Sequence, residues 1–315
     1  MKMRKLGRSE LLVSPICFGG NVFGWTTNEA ESFRLLDRFA SEGFNFIDTA
    51  DVYSVWAPGH EGGESETVIG NWLARSGKRN QVVLATKVGM EMAPNRKGLS
   101  EAHIRRSVEA SLQRLRTDRI DLYQSHKDDA DTPLEETLGT YDVLIKEGKV
   151  RAIGASNYDV TRLRSALDTS AKHRLPRYES LQPHYNLVER SGYEDGLEAL
   201  CSAEGIGVIT YFSLAAGFLT GKYRSEADLS QSTRGAGLKK YLTDHGKAVL
   251  KALDDVSARH GVKPGQVAIA WLMARPSITA PIASATSLQQ LDELLAAARL
   301  QLSREDIEVL DKASA

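Results

Sequence analysis

The sequence predicts a (β/α)8 barrel. Three observations carry the prediction: eight short apolar runs of strand character, longer stretches of helical period between them, and no composition break along the chain. The strand runs are SPICFGG, FNFIDT, VVLATKV, IDLYQSH, VRAIGAS, ESLQPH, GVITYF and ITAPIAS. Units of roughly 30 to 45 residues suit a closed barrel better than an open doubly wound sheet. Such a sheet would need G-x-G-x-x-G after an early strand, and GGNVFG at 19–24 has the wrong spacing.

Taken in order, the opening MRKLGRSELLVSP reads as a β-hairpin turning at Gly7-Arg8-Ser9, ahead of the barrel. Helices are expected over 29–42, 65–76, 100–115, 134–147, 159–171, 190–204, 238–260 and 287–299. Start signals stand at Ser65 with Glu66 in the first turn, at Ser100, at Thr132 with Pro133, and at Thr286/Ser287. The stretch Leu214–Leu238 after strand seven carries four glycines and many small polar residues. It is too long for a plain connection and is expected to be a functional loop. No linker interrupts the pattern, so residues 1–315 are expected to form one domain.

Composition excludes several classes of function. The 315 residues are 42% hydrophobic and 26% charged, the balance of a folded soluble protein. Forty basic and 41 acidic residues nearly cancel, which argues against a nucleic-acid partner. Cys17 and Cys201 lack metal or redox spacing and read as core residues in a reducing compartment. The N-terminus has no signal-like apolar run, and no segment reaches the ~20 apolar residues of a membrane span, so a cytoplasmic location is expected.

Barrel chemistry sits at the C-terminal ends of the strands. Strand two ends at Asp48 with Tyr53 just beyond, strand three at Lys87, and strand four at His126. Strand five ends at Ser156-Asn157, strand six at Gln182 and His184, and strand seven at Tyr211. Singly each has a bland reading: a turn-forming aspartate, a solvated lysine, a core histidine, a packing tyrosine, an N-capping Ser-Asn. Together on one rim, an acid, a lysine, a histidine and a tyrosine would tune one another.

FNFIDTADVYS, ATKVG, IDLYQSH, GASN and QPHYN, in that order, resemble the signatures of the aldo-keto reductase superfamily, over about residues 5–300. The resemblance implies a catalytic set of Asp48, Tyr53, Lys87 and His126. Lys87 would lower the phenol pKa from its ordinary value of about 10, and Asp48 would keep the lysine charged. His126 would donate to the carbonyl oxygen, and Tyr53 would be the acid in reduction and the base in oxidation. The implied activity is reversible reduction of a small aldehyde or ketone, with hydride from nicotinamide C4 and a proton from Tyr53.

The implied cofactor is NADPH/NADP+, with NADH less favoured. By resemblance Ser156, Asn157 and Gln182 hold the carboxamide and Tyr211 stacks on the ring. Gly20 and Asn21 join Asp48 on cofactor positions. YFSLAAGFLTGKY resembles the pyrophosphate segment, with Phe212, Ser213, Leu214 and Gly217 on the main chain and Lys222 supplying charge. Arg234 matches a clamping position, and Ser284, Thr286, Gln290 and Glu293 match the adenosine end. Gln290 stands where some relatives carry arginine, which leaves a 2′-phosphate fewer charge-assisted bonds, and Leu294 where many carry asparagine to contact adenine. Phe23, Trp25 and Trp56 are the aromatic candidates for a substrate wall.

Two other readings follow. The resemblance extends to channel-associated β subunits, so a nicotinamide-binding redox sensor or accessory subunit with little turnover is the alternative. A metal-dependent hydrolase on His126, His184 and Asp48 is disfavoured by the scarcity of paired ligand motifs and by the lysine beside Asp48; no metal is expected.

Overall fold

The computed structural model describes residues 1–232 and 235–315. Eight parallel strands close into a barrel: β3 (Cys17–Gly19), β4 (Phe46–Asp48), β5 (Val83–Val88), β6 (Ile120–Ser125), β7 (Val150–Ser156), β8 (Tyr178–Gln182), β9 (Gly207–Thr210) and β10 (Ile278–Ala283). β10 pairs with both β9 and β3, which completes the ring. Each of the eight expected runs supplies one strand. The expected hairpin is β1 (Arg4–Lys5) and β2 (Leu12–Val13), antiparallel with Arg4 opposite Val13.

Alternation along the strands builds two cores. Outward residues such as Phe18, Ile47, Leu84 and Tyr123 pack under the helices. Inward residues, among them Cys17, Phe46, Ala85 and Leu122, fill the barrel together with Leu6, Leu11 and Val13 of the hairpin region. The hairpin lies against the N-terminal strand ends: the Arg4 guanidinium donates to Ile278 O and Thr279 O, and Asn45 Nδ2 donates to Leu12 O. A side chain on Gly207, the first residue of β9, would collide with Gly7 N at 2.6 Å. The bottom of the barrel is plugged.

The helices are α1 (Glu29–Ser41), α2 (Glu64–Ser76), α3 (Glu101–Leu115), α4 (Leu134–Lys146), α5 (Val160–His173), α6 (Ser191–Glu194), α7 (Leu197–Glu204), α8 (Asp244–His260), α9 (Pro264–Ala274), α10 (Leu288–Ala297) and α11 (Arg304–Ala313). Asn28, Asp159, Thr243, Ser287 and Ser303 cap their helices by accepting a backbone N–H.

Several expectations need correction. Ser65 is inside α2 rather than its cap: its hydroxyl donates to Gly20 O and meets Thr49 Oγ1, tying the helix to two strand ends. The N-cap is Gly63, at φ 90°, a conformation that favours glycine. Thr132 likewise bonds Asp129 instead of capping α4. The helix expected over 190–204 breaks at Asp195-Gly196, where Gly196 takes φ 104°. The one expected over 238–260 begins only at Asp244, after a 3-10 segment at Gly235–Tyr241. The long segment after β9 also carries 3-10 turns at Ala215–Thr220 and Glu226–Gln231.

Candidate active site

Period-two alternation sets the site's depth. Phe46 and Asp48, Ala85 and Lys87, and Leu122, Gln124 and His126 each point inward in turn, so every strand trades an apolar floor for a polar group near its C-terminal end. Above that layer opens a cavity of about 1280 Å³. It exceeds the ~300–1,000 Å³ of ordinary small-ligand pockets, which leaves room for a long ligand and a small one.

At the floor, Lys87 is fully buried, with an ammonium that has three donors and no acceptor. Nζ donates to Asp48 Oδ2 at 2.6 Å, to Thr49 O at 2.8 Å and to the Tyr53 hydroxyl at 3.0 Å. Because the ammonium can only donate, the Tyr53 oxygen accepts. The phenol's own proton is therefore directed away from Lys87. Asp48 Oδ1 accepts from the amides of Gln124 and Gln182, both at 3.1 Å, and Gln182 also donates to Gln124. Gln124 had no place among the expected site residues, although its inward position on β6 could have shown it.

Electrostatics partly reverse the expectation for the phenol. Burial pushes the Tyr53 phenol above its ordinary value; Lys87 pulls it down and Asp48 pushes it up. The ammonium offsets desolvation and does not invert it. Burial pulls the Lys87 pKa down, yet Asp48 and Tyr53 together hold it above the usual lysine range. Burial, with Lys87 adding to it, holds the His126 imidazole well below its ordinary value, so the ring is neutral. His126 meets the Tyr53 ring edge-on at 5.9 Å, and its Nδ1 has no hydrogen-bond partner among the described residues.

Around the floor, Asn157 is clamped: its amide donates to His126 O and Ser156 Oγ, and its oxygen accepts from the Tyr211 hydroxyl. Ser156 Oγ donates to Gln182 O. Tyr211 stacks on His184 at 5.2 Å and lines the cavity. Trp56 meets Tyr53 at 5.6 Å and Trp25 at 5.5 Å, both edge-on, so the two tryptophans form one wall.

Phe212, Ser213, Leu214, Gly217 and Lys222 run along a second wall. Phe212, Ala215 and Ala216 there adopt positive φ (51°, 48° and 54°), strain of about 1–3 kcal/mol each that clusters at ligand sites. Elsewhere the wall carries Asn21, whose Oδ1 accepts from Ser284 Oγ, and Thr286, whose N–H and hydroxyl both donate to Gln290 Oε1. Glu293 is there too, ion-paired with Lys263.

Two expected positions are corrected. Phe23 is a core residue, fully buried edge-on to Phe18, and forms no part of the wall. Gly20 lies behind the wall, its N–H on Asp48 O and its carbonyl on Ser65 Oγ, as a joint between β3, β4 and α2. Arg234 lies outside the described residues. The wall also includes Met90, Lys127, Tyr223, Lys263 and Gln266, which sequence reading did not select. Lys263 and Gln266 open α9, whose start was legible in Lys263-Pro264.

Among the described residues no group of three or more His, Cys, Asp or Glu could hold a metal ion, and no helix is long and apolar enough to cross a membrane. Comparison with known proteins bears on the whole barrel. A model of the Aldo/keto reductase family matches residues 15–315. An uncharacterized oxidoreductase, YrpG of Bacillus subtilis (strain 168), is 36% identical over 99% of this chain and 95% of its own. Protein tas of Escherichia coli (strain K12) is 32% identical over 97% of this chain and 95% of its own. A probable voltage-gated potassium channel subunit beta of Oryza sativa subsp. japonica is 33% identical over 93% of this chain and 90% of its own.

Proposed function

The chain belongs to the aldo/keto reductase family and is thereby an oxidoreductase, and from that premise we propose that it reduces an aldehyde or ketone to the alcohol, reversibly, with NADPH as preferred cofactor. The observation that carries the reading is the bonding of Lys87. Its three donors are spent on Asp48, Thr49 and Tyr53, which leaves the phenol proton to the cavity.

The residues fit a nicotinamide cofactor: the cavity is long, its floor polar, and its segment from Phe212 to Gly217 holds strained backbone. Bound there, the cofactor supplies the hydride. Asn157, Ser156 and Tyr211 orient its ring. Tyr53 delivers the proton to the substrate oxygen and recovers it in the oxidative direction. Lys87 keeps the resulting phenolate tolerable, and Asp48 keeps Lys87 charged. Neutral His126 donates one N–H to the carbonyl oxygen, which orients the substrate and stabilises developing negative charge. Trp25 and Trp56 give the substrate an apolar wall. The same reading makes residues 1–315 one domain acting on a small molecule in the cytoplasm.

A second reading, a nicotinamide-holding sensor or accessory subunit, draws support from the relatives named as potassium channel β subunits. One experiment separates the two. Purified protein is titrated with NADPH and NADH, then given a panel of aldehydes and ketones while loss of reduced nicotinamide is followed optically. Binding with turnover supports the reductase, binding without turnover the sensor, and failure to bind either nucleotide overturns both.

A further inference from the structure

We propose that Lys127 makes this site selective for anionic carbonyl compounds, in which an aldehyde or ketone shares an apolar, ring-bearing body with a carboxylate or phosphate. The inference rests on the reductase reading above and names the substrate class of that site.

Besides the neutral His126, five ionisable side chains of Asp, Glu or Lys line the cavity among the described residues: Asp48, Lys127, Lys222, Lys263 and Glu293. Asp48 is bound to Lys87, Glu293 to Lys263, and Lys222 lies over the Tyr223 ring at 5.0 Å. Lys127 is exposed, and among the described residues it has no ion pair, hydrogen bond or ring contact. The acids next to it in sequence are engaged elsewhere. Asp128 Oδ1 accepts from Arg162 Nε at 2.6 Å, and the Asp129 carboxylate accepts from the Leu99 N–H, the Asp131 N–H and the Thr132 hydroxyl. One positive charge on the cavity wall is therefore left without an answering group.

Its place beside His126 decides what that charge can meet. The His126 N–H donates to Val88 O at 2.8 Å and the His126 carbonyl accepts from Asn157 Nδ2 at 2.9 Å, so the peptide leading into Lys127 is held from both sides. Neighbouring Cα atoms are about 3.8 Å apart and lysine carries a four-carbon stem. An ammonium on the residue after His126 can therefore reach a group several bonds from the carbonyl whose oxygen His126 holds. Trp25 and Trp56, edge-on with ring centroids 5.5 Å apart, offer apolar faces to the body between the two ends. His126 is neutral and adds no second positive charge, so selection for an anion falls to Lys127.

The test pairs 3- and 4-formylbenzoate with the corresponding formylbenzamides, which keep the size and shape and lose the charge. The readout is the ratio of kcat/KM for carboxylate over amide with NADPH, compared between wild type and variants so that intrinsic reactivity cancels. Lys127→Met keeps the apolar stem and leaves both backbone bonds of His126 in place. Loss of one exposed ionic contact should lower the ratio about fivefold for at least one isomer, through KM. Lys127→Arg should keep the ratio and Lys127→Glu should lower it further. Raising salt from about 0.02 to about 0.5 M should shrink the wild-type ratio and leave that of the methionine variant alone. Ratios that the methionine exchange leaves untouched overturn the role of Lys127, while turnover upholds the reductase reading. Protein that binds NADPH and turns over none of the four compounds overturns both.

Discussion

Lys87 Nζ stands 2.6 Å from Asp48 Oδ2, and the two side chains are 0% and 2% exposed. A pair so placed adds little net stability, because desolvation of both charges offsets their attraction. Removing one partner is another matter. Lys87→Met leaves the Asp48 carboxylate buried with only amide donors and should cost about 3–5 kcal/mol. Adding Asp48→Asn should restore much of the loss. Urea denaturation of both variants checks this; a single variant as stable as wild type would show that the buried charge is not there.

Tyr53→Phe removes the hydroxyl that accepts from Lys87 in a ring lining the cavity. Turnover of any carbonyl substrate should fall by about 100-fold or more, while NADPH affinity stays within about twofold. Stopped-flow turnover and a fluorescence titration on the same sample test the split, and parallel losses would place Tyr53 in binding instead of proton transfer.

His126 is held neutral by burial and by Lys87. Its folded pKa lies below its unfolded one, so its contribution to stability is present above about pH 6.5 and is lost as pH falls through the unfolded value. His126→Gln should therefore narrow the stability difference between pH 7.5 and pH 5. In NMR the His126 ring signals, assigned by their absence from the variant, should not titrate near pH 6.5.

Asp51 is buried beside Glu66, and both its carboxyl oxygens lack hydrogen-bond partners among the described residues. Burial and the Glu66 charge push its carboxyl up to about 8, against the pull of Arg114 and Lys87. The unfolded chain releases that proton near pH 4 and the folded one near 8, so stability declines across this window as pH rises, by at most about 1.4 kcal/mol per unit. Asp51→Asn should gain on wild type progressively from pH 5 to 8 and level off above. Thermal melts over that range measure it; a constant difference would mean that Asp51 is ionised throughout.

Much of this was legible in the chain. Asp48, Lys87 and His126 each end a strand run, so the barrel reading alone placed them on one rim, and strand period turns all three inward. The barrel count followed from eight strand runs alternating with stretches of helical period. α9 escaped because Val267 to Leu272 are buried without a break, and a helix wet on no face shows no helical period. Gly196 breaks the 190–204 helix through a backbone angle that a glycine permits and does not announce. The direction of Phe23 depends on its bridge to Thr27, a turn without sequence period. The raised Tyr53 phenol depends on how much barrel surrounds the ring, which proximity to a lysine in sequence space cannot tell.

The hairpin plug has a kinetic corollary. With Leu6, Leu11 and Val13 sealing the lower end, the barrel is a blind shaft, and a ligand reaching Tyr53 must enter and leave through the upper mouth. On the proposed reading a nucleotide and a carbonyl compound share that one doorway, and a nucleotide seated first would be covered by the second and depart last. Product inhibition patterns for this protein should accordingly be those of an ordered sequence and not of random arrival.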